Sequence, residues 1–161
     1  MNSRALKSTS LALCVLACSV ATQSQAGPLA PTKASQVVVL LPDGTECPGD
    51  VHGYAMRKMD AGNGTAVDFV IPAGQVLVVT GYVWRKTSVL AAGSAEDVIL
   101  TSDAVTGESS FLSTDRGIVS TNATAGGNVT LSPGVIVQSG MQLCLTGGLV
   151  SRAYGFLAKD N

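Results

Sequence analysis

The sequence predicts an all-β protein: a single antiparallel β-sandwich of jelly-roll type, with about ten short strands that follow a cleaved signal peptide. Three observations predict this class. The chain starts with a basic and then apolar leader, its later apolar residues come in short β-branched runs between turn residues, and no stretch keeps a helical period for three turns. Such runs are typical of antiparallel sandwiches and barrels, and the alternation does not distinguish the two.

Residues 1–26 have the pattern of an export signal. Arg4 and Lys7 supply a positive start, an apolar run extends over 11–21, and the small residues Ser24 and Ala26 suit a signal peptidase. We therefore predict a signal peptide over 1–26, a short N-terminal extension over 27–34 and the β-sandwich domain over 35–161. The mature protein is then secreted or periplasmic after bacterial export, in an oxidising compartment.

A second interpretation of the leader changes the location. The residues Val15-Leu16-Ala17-Cys18 resemble a bacterial lipobox, in which Cys18 is acylated and becomes the first mature residue. On that interpretation the protein is an outer-membrane lipoprotein, whereas cleavage after Ala26 leaves it without an anchor. The apolar run is too short for a transmembrane span, which needs about twenty residues.

Ten runs after residue 34 each have the length and composition of a strand. The predicted strands are, in order, 35–41, 51–59, 65–71, 75–85, 97–101, 109–113, 128–131, 135–138, 142–145 and 150–158. The main turn segments between them are 42–45, 61–64, 72–74, 93–94, 106–107, 125–127, 133–134 and 139–140. Gly, Pro, Asn, Asp and Ser supply the backbone conformations that these turns require.

The run over 75–85 is the strongest single strand. Apolar side chains occupy both of its faces, with Trp84 on one face and Leu77 on the other, so the strand belongs in the middle of a sheet. The segment 74–81 is echoed by 140–147, and each begins with glycine shortly after a proline. We interpret the two segments as equivalent strands in facing sheets.

Charge excludes two classes of partner. The leader holds two of the ten basic residues, so the eleven acidic residues outnumber the basic ones in the predicted mature chain. Nucleic-acid binding needs a basic face, and an anionic membrane surface needs a polybasic cluster; neither is present in the sequence. We predict no nucleic-acid partner, no transmembrane span and no cofactor.

Two cysteines remain after the leader, Cys47 and Cys144, because Cys14 and Cys18 belong to it. An isolated pair of cysteines in an oxidising compartment forms a disulfide. The alternative is a reactive or metal-binding thiol pair, but the sequence offers neither a Cys-x-x-Cys spacing nor neighbouring histidines for it. We predict a disulfide that joins the first part of the domain to the last.

Few residues are candidates for catalysis. His52 is the only histidine, and Asp50 would lie on the same strand face, where it could orient the imidazole. We favour a solvated strand histidine over this catalytic interpretation. Glu96 and Asp97 are adjacent and therefore point to opposite faces of a strand, which is a poor start for a paired-carboxylate site.

A loop with three carboxylates is the one candidate metal site. Asp43, Glu46 and Asp50 offer oxygen ligands of the kind that calcium accepts, although they do not follow the EF-hand spacing. The alternative is a plain solvated turn. We favour that turn and predict no metal.

The aromatic residues offer one candidate ligand face. Tyr82 and Trp84 share a strand face, with Tyr54 and Tyr154 as possible neighbours from other strands. An exposed pair of rings would form a platform for a sugar or another small ligand, whereas a buried pair would be core packing. We favour the core and keep the ligand face as the alternative.

These observations give three hypotheses about function. The first is an exported non-enzymatic β-sandwich that acts through its surface in cell-envelope structure, adhesion or assembly, with a protein or glycan partner. The second is a small-ligand or carbohydrate-binding module that uses the face of Tyr82 and Trp84. The third is a hydrolase with a site that the sequence does not reveal.

Overall fold

A computed structural model of the protein describes residues 31, 33–49, 53–63, 65–146 and 150–160. The predicted signal peptide with Cys18 lies outside these residues, as do Asp50 and His52. The described part of the chain forms antiparallel strands and one 3-10 turn, Ala34–Gln36, which confirms the all-β class. It contains no helix long and apolar enough to cross a membrane.

Ten strands are described. They are β1 (Val37–Leu41), β2 (Gly53–Ala55), β3 (Lys58–Asp60), β4 (Ala66–Asp68), β5 (Gln75–Thr87), β6 (Ala95–Ala104), β7 (Ser109–Ile118), β8 (Thr124–Val137), β9 (Met141–Thr146) and β10 (Val150–Lys159). Strands β5 to β8 are longer than the sequence predicts, because polar and glycine residues continue the ladders beyond the apolar runs.

The strands form a jelly roll. One sheet has six strands in the order β4-β3-β1-β10-β5-β8, and the other has four in the order β2-β9-β6-β7. The pairings are nested, because β1 pairs with β10, β2 with β9, β5 with β8 and β6 with β7. A long hairpin folded over on itself in this way makes the double Greek key of a jelly roll, and the β3–β4 hairpin extends one edge. The echoed segments lie in β5 and β9, in opposite sheets.

The prediction of one strand over 51–59 is wrong. This stretch contains β2 and β3, which belong to different sheets. The chain crosses between the sheets at Met56 and Arg57, where the Met56 N–H donates to the Leu143 carbonyl and the Arg57 carbonyl accepts from the Phe69 N–H, each at 2.8 Å. These bonds pair the Met56 N–H and the Arg57 carbonyl with other segments of the chain. Neither residue is typical of turns, so the sequence shows no break there.

The prediction of two strands over 128–131 and 135–138 is also wrong, because both belong to β8. Residues 131–134 bulge out of the ladder with β5, which continues on either side of them. Strand β8 is at the edge of its sheet, where Pro133 is tolerated although it has no N–H to donate. Gly134, with φ of 110°, takes up the positive dihedral angle of the bulge.

The core fills the space between the two sheets. Strand β5 contributes Leu77, Val79, Tyr82 and Trp84, and the four-stranded sheet contributes Val98, Leu100, Leu143 and Leu145. Burial of each such side chain stabilises the fold by about 1.5–3 kcal/mol relative to its exposure. Strand β5 is therefore a main contributor to the core. It lies between β10 and β8, in the interior of its sheet, as its two apolar faces predict.

A smaller apolar cluster explains the second apolar face of β5. Val76 and Val78 alternate with the core residues and so point away from the other sheet, where they pack with Phe156 of β10. Val37 and Ile136 extend this row across the neighbouring strands, opposite Phe156 and Val78 respectively. The six-stranded sheet is therefore apolar on both faces along this row.

Candidate functional site

The two aromatic residues of the predicted ligand face are buried. Tyr82 is 0% exposed and Trp84 is 2% exposed. The Tyr82 hydroxyl lies 3.4 Å from the Ser113 hydroxyl, and the Trp84 indole N–H donates to Asp115 Oδ2 at 2.6 Å. Burial raises the pKa of Tyr82 above its ordinary value, and the charge of Asp115 raises it further. The hydrogen bond between the Tyr82 and Ser113 hydroxyls acts in the opposite direction. Rings in these positions offer no stacking face to a sugar, and core packing is the interpretation that their burial supports.

Two glycines make room for the Trp84 indole, and a third makes room for the Trp84 backbone. A Cβ on Gly117 would lie 2.8 Å from Trp84 Cη2, and a Cβ on Gly127 would lie 2.7 Å from Trp84 Nε1. A Cβ on Gly126 would meet the Trp84 carbonyl oxygen at 2.7 Å. The sequence predicts a turn over 125–127, but these residues lie inside β8, where glycine marks a close approach of another chain segment.

The predicted disulfide between Cys47 and Cys144 is present, with the two Cα atoms 6.3 Å apart. The carboxylate of the buried Asp103 lies within 4.8 Å of both sulfurs, a grouping that could suit a metal if the thiols were free. Because the sulfurs are bonded to each other, neither is a thiolate ligand. Asp103 instead accepts a hydrogen bond from the Ser109 hydroxyl at 2.7 Å.

Glu96 and Asp97 are held by different cations. Lys86 Nζ lies 2.5 Å from Glu96, and the Ser88 hydroxyl also donates to Glu96. Asp97 accepts two hydrogen bonds from Arg116, at 2.6 and 3.0 Å. The hydrogen bonds from Lys86 and Ser88 hold the pKa of Glu96 below its ordinary value, and those from Arg116 do the same for Asp97. A general acid needs the opposite shift, so this pair is not arranged for acid catalysis.

Within the described part of the chain, the carboxylates of the candidate calcium loop do not come together as a metal site. Asp43 accepts hydrogen bonds from the Thr45 N–H at 2.8 Å and from Arg57 Nε at 3.0 Å, so each of its oxygens already has a donor. Burial raises the pKa of Asp43, but the hydrogen bonds from Thr45 and the charge of Arg57 outweigh it and leave this pKa below its ordinary value. Glu46 is exposed and its backbone bridges to Tyr54, and Asp50 lies outside the described residues.

An apolar cleft lies at one end of the sandwich, and we take it as the candidate site. Its volume is about 240 Å³. The core residues Leu40, Leu77 and Leu143 lie on its inner side, and the chain that crosses between the sheets lies along it. The residues that line it are Leu40, Met56, Arg57, Phe69, Val70, Ile71, Leu77, Val105, Gly140, Met141, Gln142 and Leu143.

Two valines stand exposed among the residues that line the cleft. Val70 is 78% exposed and Val105 is 81% exposed, and they come from segments on either side: the chain that follows β4, and the turn between β6 and β7. Single exposed aliphatic side chains are common, but here two of them adjoin an apolar cavity. The cleft can therefore receive an apolar group and cover it with further apolar surface.

The lining of the cleft is mostly apolar. Among the described residues that line it, Arg57 is the only charged one, and none carries a hydroxyl, a thiol, an imidazole or a carboxylate. Met56 and Met141 add flexible side chains that adapt to the shape of an apolar ligand. Comparison with known protein families and with curated proteins finds no match to this chain.

The sequence pattern does not predict this cleft. The predicted strand 65–71 contains Val70, but β4 ends at Asp68 and the chain then leaves the sheet to run along the cleft. Val105 precedes a predicted turn and carries no other signal. The lining comes from segments that are far apart in sequence, so no local pattern marks it.

Proposed function

We propose that this protein is an exported, non-enzymatic β-sandwich that acts by binding a partner through the apolar end of the sandwich. The observation that carries the proposal is the cleft of about 240 Å³ flanked by the exposed Val70 and Val105. A pocket lined mainly by apolar side chains, with few polar groups, is the usual form of a ligand site. The partner presents an apolar group, so we favour a protein side chain or a small molecule over a glycan.

Export is part of this proposal. The leader over 1–26 and the disulfide between Cys47 and Cys144 support it, because disulfides persist in oxidising compartments. Fractionation of a bacterial host that expresses the full chain tests it: the protein should appear outside the cytoplasm, cleaved after Ala26. If the Cys18→Ala variant loses membrane association that the wild type shows, the lipoprotein alternative replaces the unanchored one.

Binding at the cleft is tested with the mature protein and the small uncharged fluorescent probe aminonaphthalene. Val70→Asp and Val105→Asp place a charge beside the cleft, and each should weaken probe binding about tenfold or more, because a carboxylate loses solvation when an apolar group covers it. Val89→Asp is the matched control, since Val89 is a fully exposed valine in the loop between β5 and β6.

The three variants should unfold at the same urea concentration as the wild type, since surface substitutions change stability little. Equal binding by the wild type and both cleft variants would contradict the proposal. So would an equal loss of binding in the Val89→Asp control.

A further inference from the structure

The charge in the cleft is already balanced. Arg57 lines the cleft, and its Nε donates to Asp43 Oδ2 at 3.0 Å. The Asp43 side chain is 12% exposed, and its other oxygen accepts from the Thr45 N–H. With its pKa held below the ordinary value, Asp43 stays ionised at neutral pH. The pair is therefore neutral as a whole, and each oxygen of Asp43 is held by a donor.

The charge balance between Asp43 and Arg57 determines which ligands bind favourably in the cleft. A carboxylate that enters an apolar cavity loses its hydration, and only a free cation or several hydrogen bonds can compensate for that loss. Arg57 is a weak partner for a second anion, because Asp43 already accepts from its Nε and repels that anion. An uncharged ligand avoids this cost and keeps the full gain from burying its apolar surface.

The volume of the cleft sets the size of the ligand. About 240 Å³ corresponds to roughly eight water molecules at their volume in the liquid, about 30 Å³ each. This is smaller than the usual pocket for a drug-sized ligand, about 300–1,000 Å³. A chain of about eight heavy atoms fills such a volume, and Met56 and Met141 can adjust to its shape.

We propose that the cleft binds a small uncharged aliphatic molecule of about eight carbons, in preference to a carboxylate of the same length. This inference rests on the proposed function, because it takes the cleft as the binding site. It adds the class of ligand and identifies the Asp43–Arg57 pair as the element that selects against anions.

The test compares octanol with octanoate at pH 7, using mature protein that carries ¹³C-labelled methionine methyl groups. Met56 and Met141 line the cleft and should shift on titration, whereas Met59 in β3 does not line it and is an internal control. We expect octanol to bind about tenfold more tightly than octanoate, the factor expected when one charge-assisted hydrogen bond is not formed.

Two further measurements isolate the Asp43–Arg57 pair. Asp43→Asn frees Arg57 and should tighten octanoate binding about tenfold, with little change for octanol. Asp68→Asn is the matched control, because Asp68 pairs with Lys58 on the β3–β4 hairpin, and neither residue lines the cleft. A second measurement needs no variant: at pH 4 most of the octanoate carries a proton, because an aliphatic carboxyl has a pKa of about 4.3 or higher, and its affinity should approach that of octanol.

The outcomes separate this inference from the proposed function. Octanoate binding equal to or tighter than octanol binding at pH 7 overturns the preference and leaves the cleft as a binding site. Failure of both compounds to shift Met56 and Met141, with aminonaphthalene still bound at the cleft, overturns the ligand class alone. Failure of all three compounds overturns the proposed function as well.

Discussion

Trp84 is the residue whose removal should damage the fold most. Its indole is buried between the sheets, Gly117 and Gly127 press against the ring, and Asp115 accepts its N–H. Replacement by alanine opens a cavity that backbone packed so closely cannot fill. The substitution Trp84→Ala should therefore lower the free energy of unfolding by about 3–5 kcal/mol.

The hydrogen bond to Asp115 adds a smaller amount. A hydrogen bond to a charged group contributes about 1.5–3 kcal/mol when it is buried, but Asp115 is only half-buried and can recover a water molecule. We therefore expect Trp84→Phe, which keeps most of the ring volume and removes the N–H, to cost about 1–2 kcal/mol. Since a domain of this size has about 5–15 kcal/mol in total, the alanine variant is close to the limit of folding.

Urea denaturation followed by far-UV circular dichroism, with the disulfide intact, measures these differences. Phe111→Ala is the matched control, because Phe111 is an exposed aromatic residue on β7 of the other sheet and its loss should change stability by less than about 0.5 kcal/mol. Acrylamide should quench the wild-type tryptophan fluorescence weakly. A Trp84→Ala protein within 1 kcal/mol of wild type, or an indole quenched like free tryptophan, would refute the core assignment.

Three other perturbations have defined outcomes. Thiol labelling of the denatured, unreduced protein should find neither Cys47 nor Cys144 free, and reduction should cost up to about 4.7 kcal/mol, because the bond closes a loop with a sequence separation of 97. Because the pKa of Asp43 is lowered in the folded protein, its ionised form stabilises the fold above the unfolded pKa of about 3.9, and this stability is lost as the pH falls through the folded pKa. Asp43→Asn should therefore reduce the loss of stability that is measured between about pH 6 and pH 2. Gly155→Ala should cost about 1–3 kcal/mol by urea denaturation, since its Cβ would lie 2.5 Å from a backbone carbonyl oxygen of β5, and a neutral effect would show that the two strands can separate there.

The parts of this fold that depend on local pattern could be predicted from sequence. The β-branched runs give most of the strands, and the two apolar faces of 75–85 place β5 inside its sheet. The disulfide follows from the two cysteines that remain after the predicted export signal. In each case the prediction depends on the pattern of a few neighbouring residues or on the composition of the whole chain.

The parts that depend on tertiary contacts could not be predicted. The crossing at Met56 looks like continuous strand, because its backbone partner is Leu143, distant in the sequence. Gly127 looks like a turn residue, because the Trp84 ring that requires it lies on another strand. The candidate cleft is missed for the same reason: its mostly apolar lining comes from segments that are distant in the sequence and that only the fold brings together.

The nested pairing of the jelly roll also has a consequence for the order of assembly. The innermost contact is local, and each pairing outside it joins residues further apart in the chain. From the inside outward, representative partners are Asp103 with Ser109, Thr87 with Thr124, Ala55 with Cys144, and Leu40 with Ala153.

Once an inner ladder has formed, the effective loop that the next one must close is short, so the entropy of loop closure favours assembly from β6–β7 towards the two ends of the domain. The bond between Cys47 and Cys144 joins the chain beside β2 to β9, which places it at the third of the four ladders. Oxidation at that stage would hold the three inner ladders in register before β1 and β10 pair with each other.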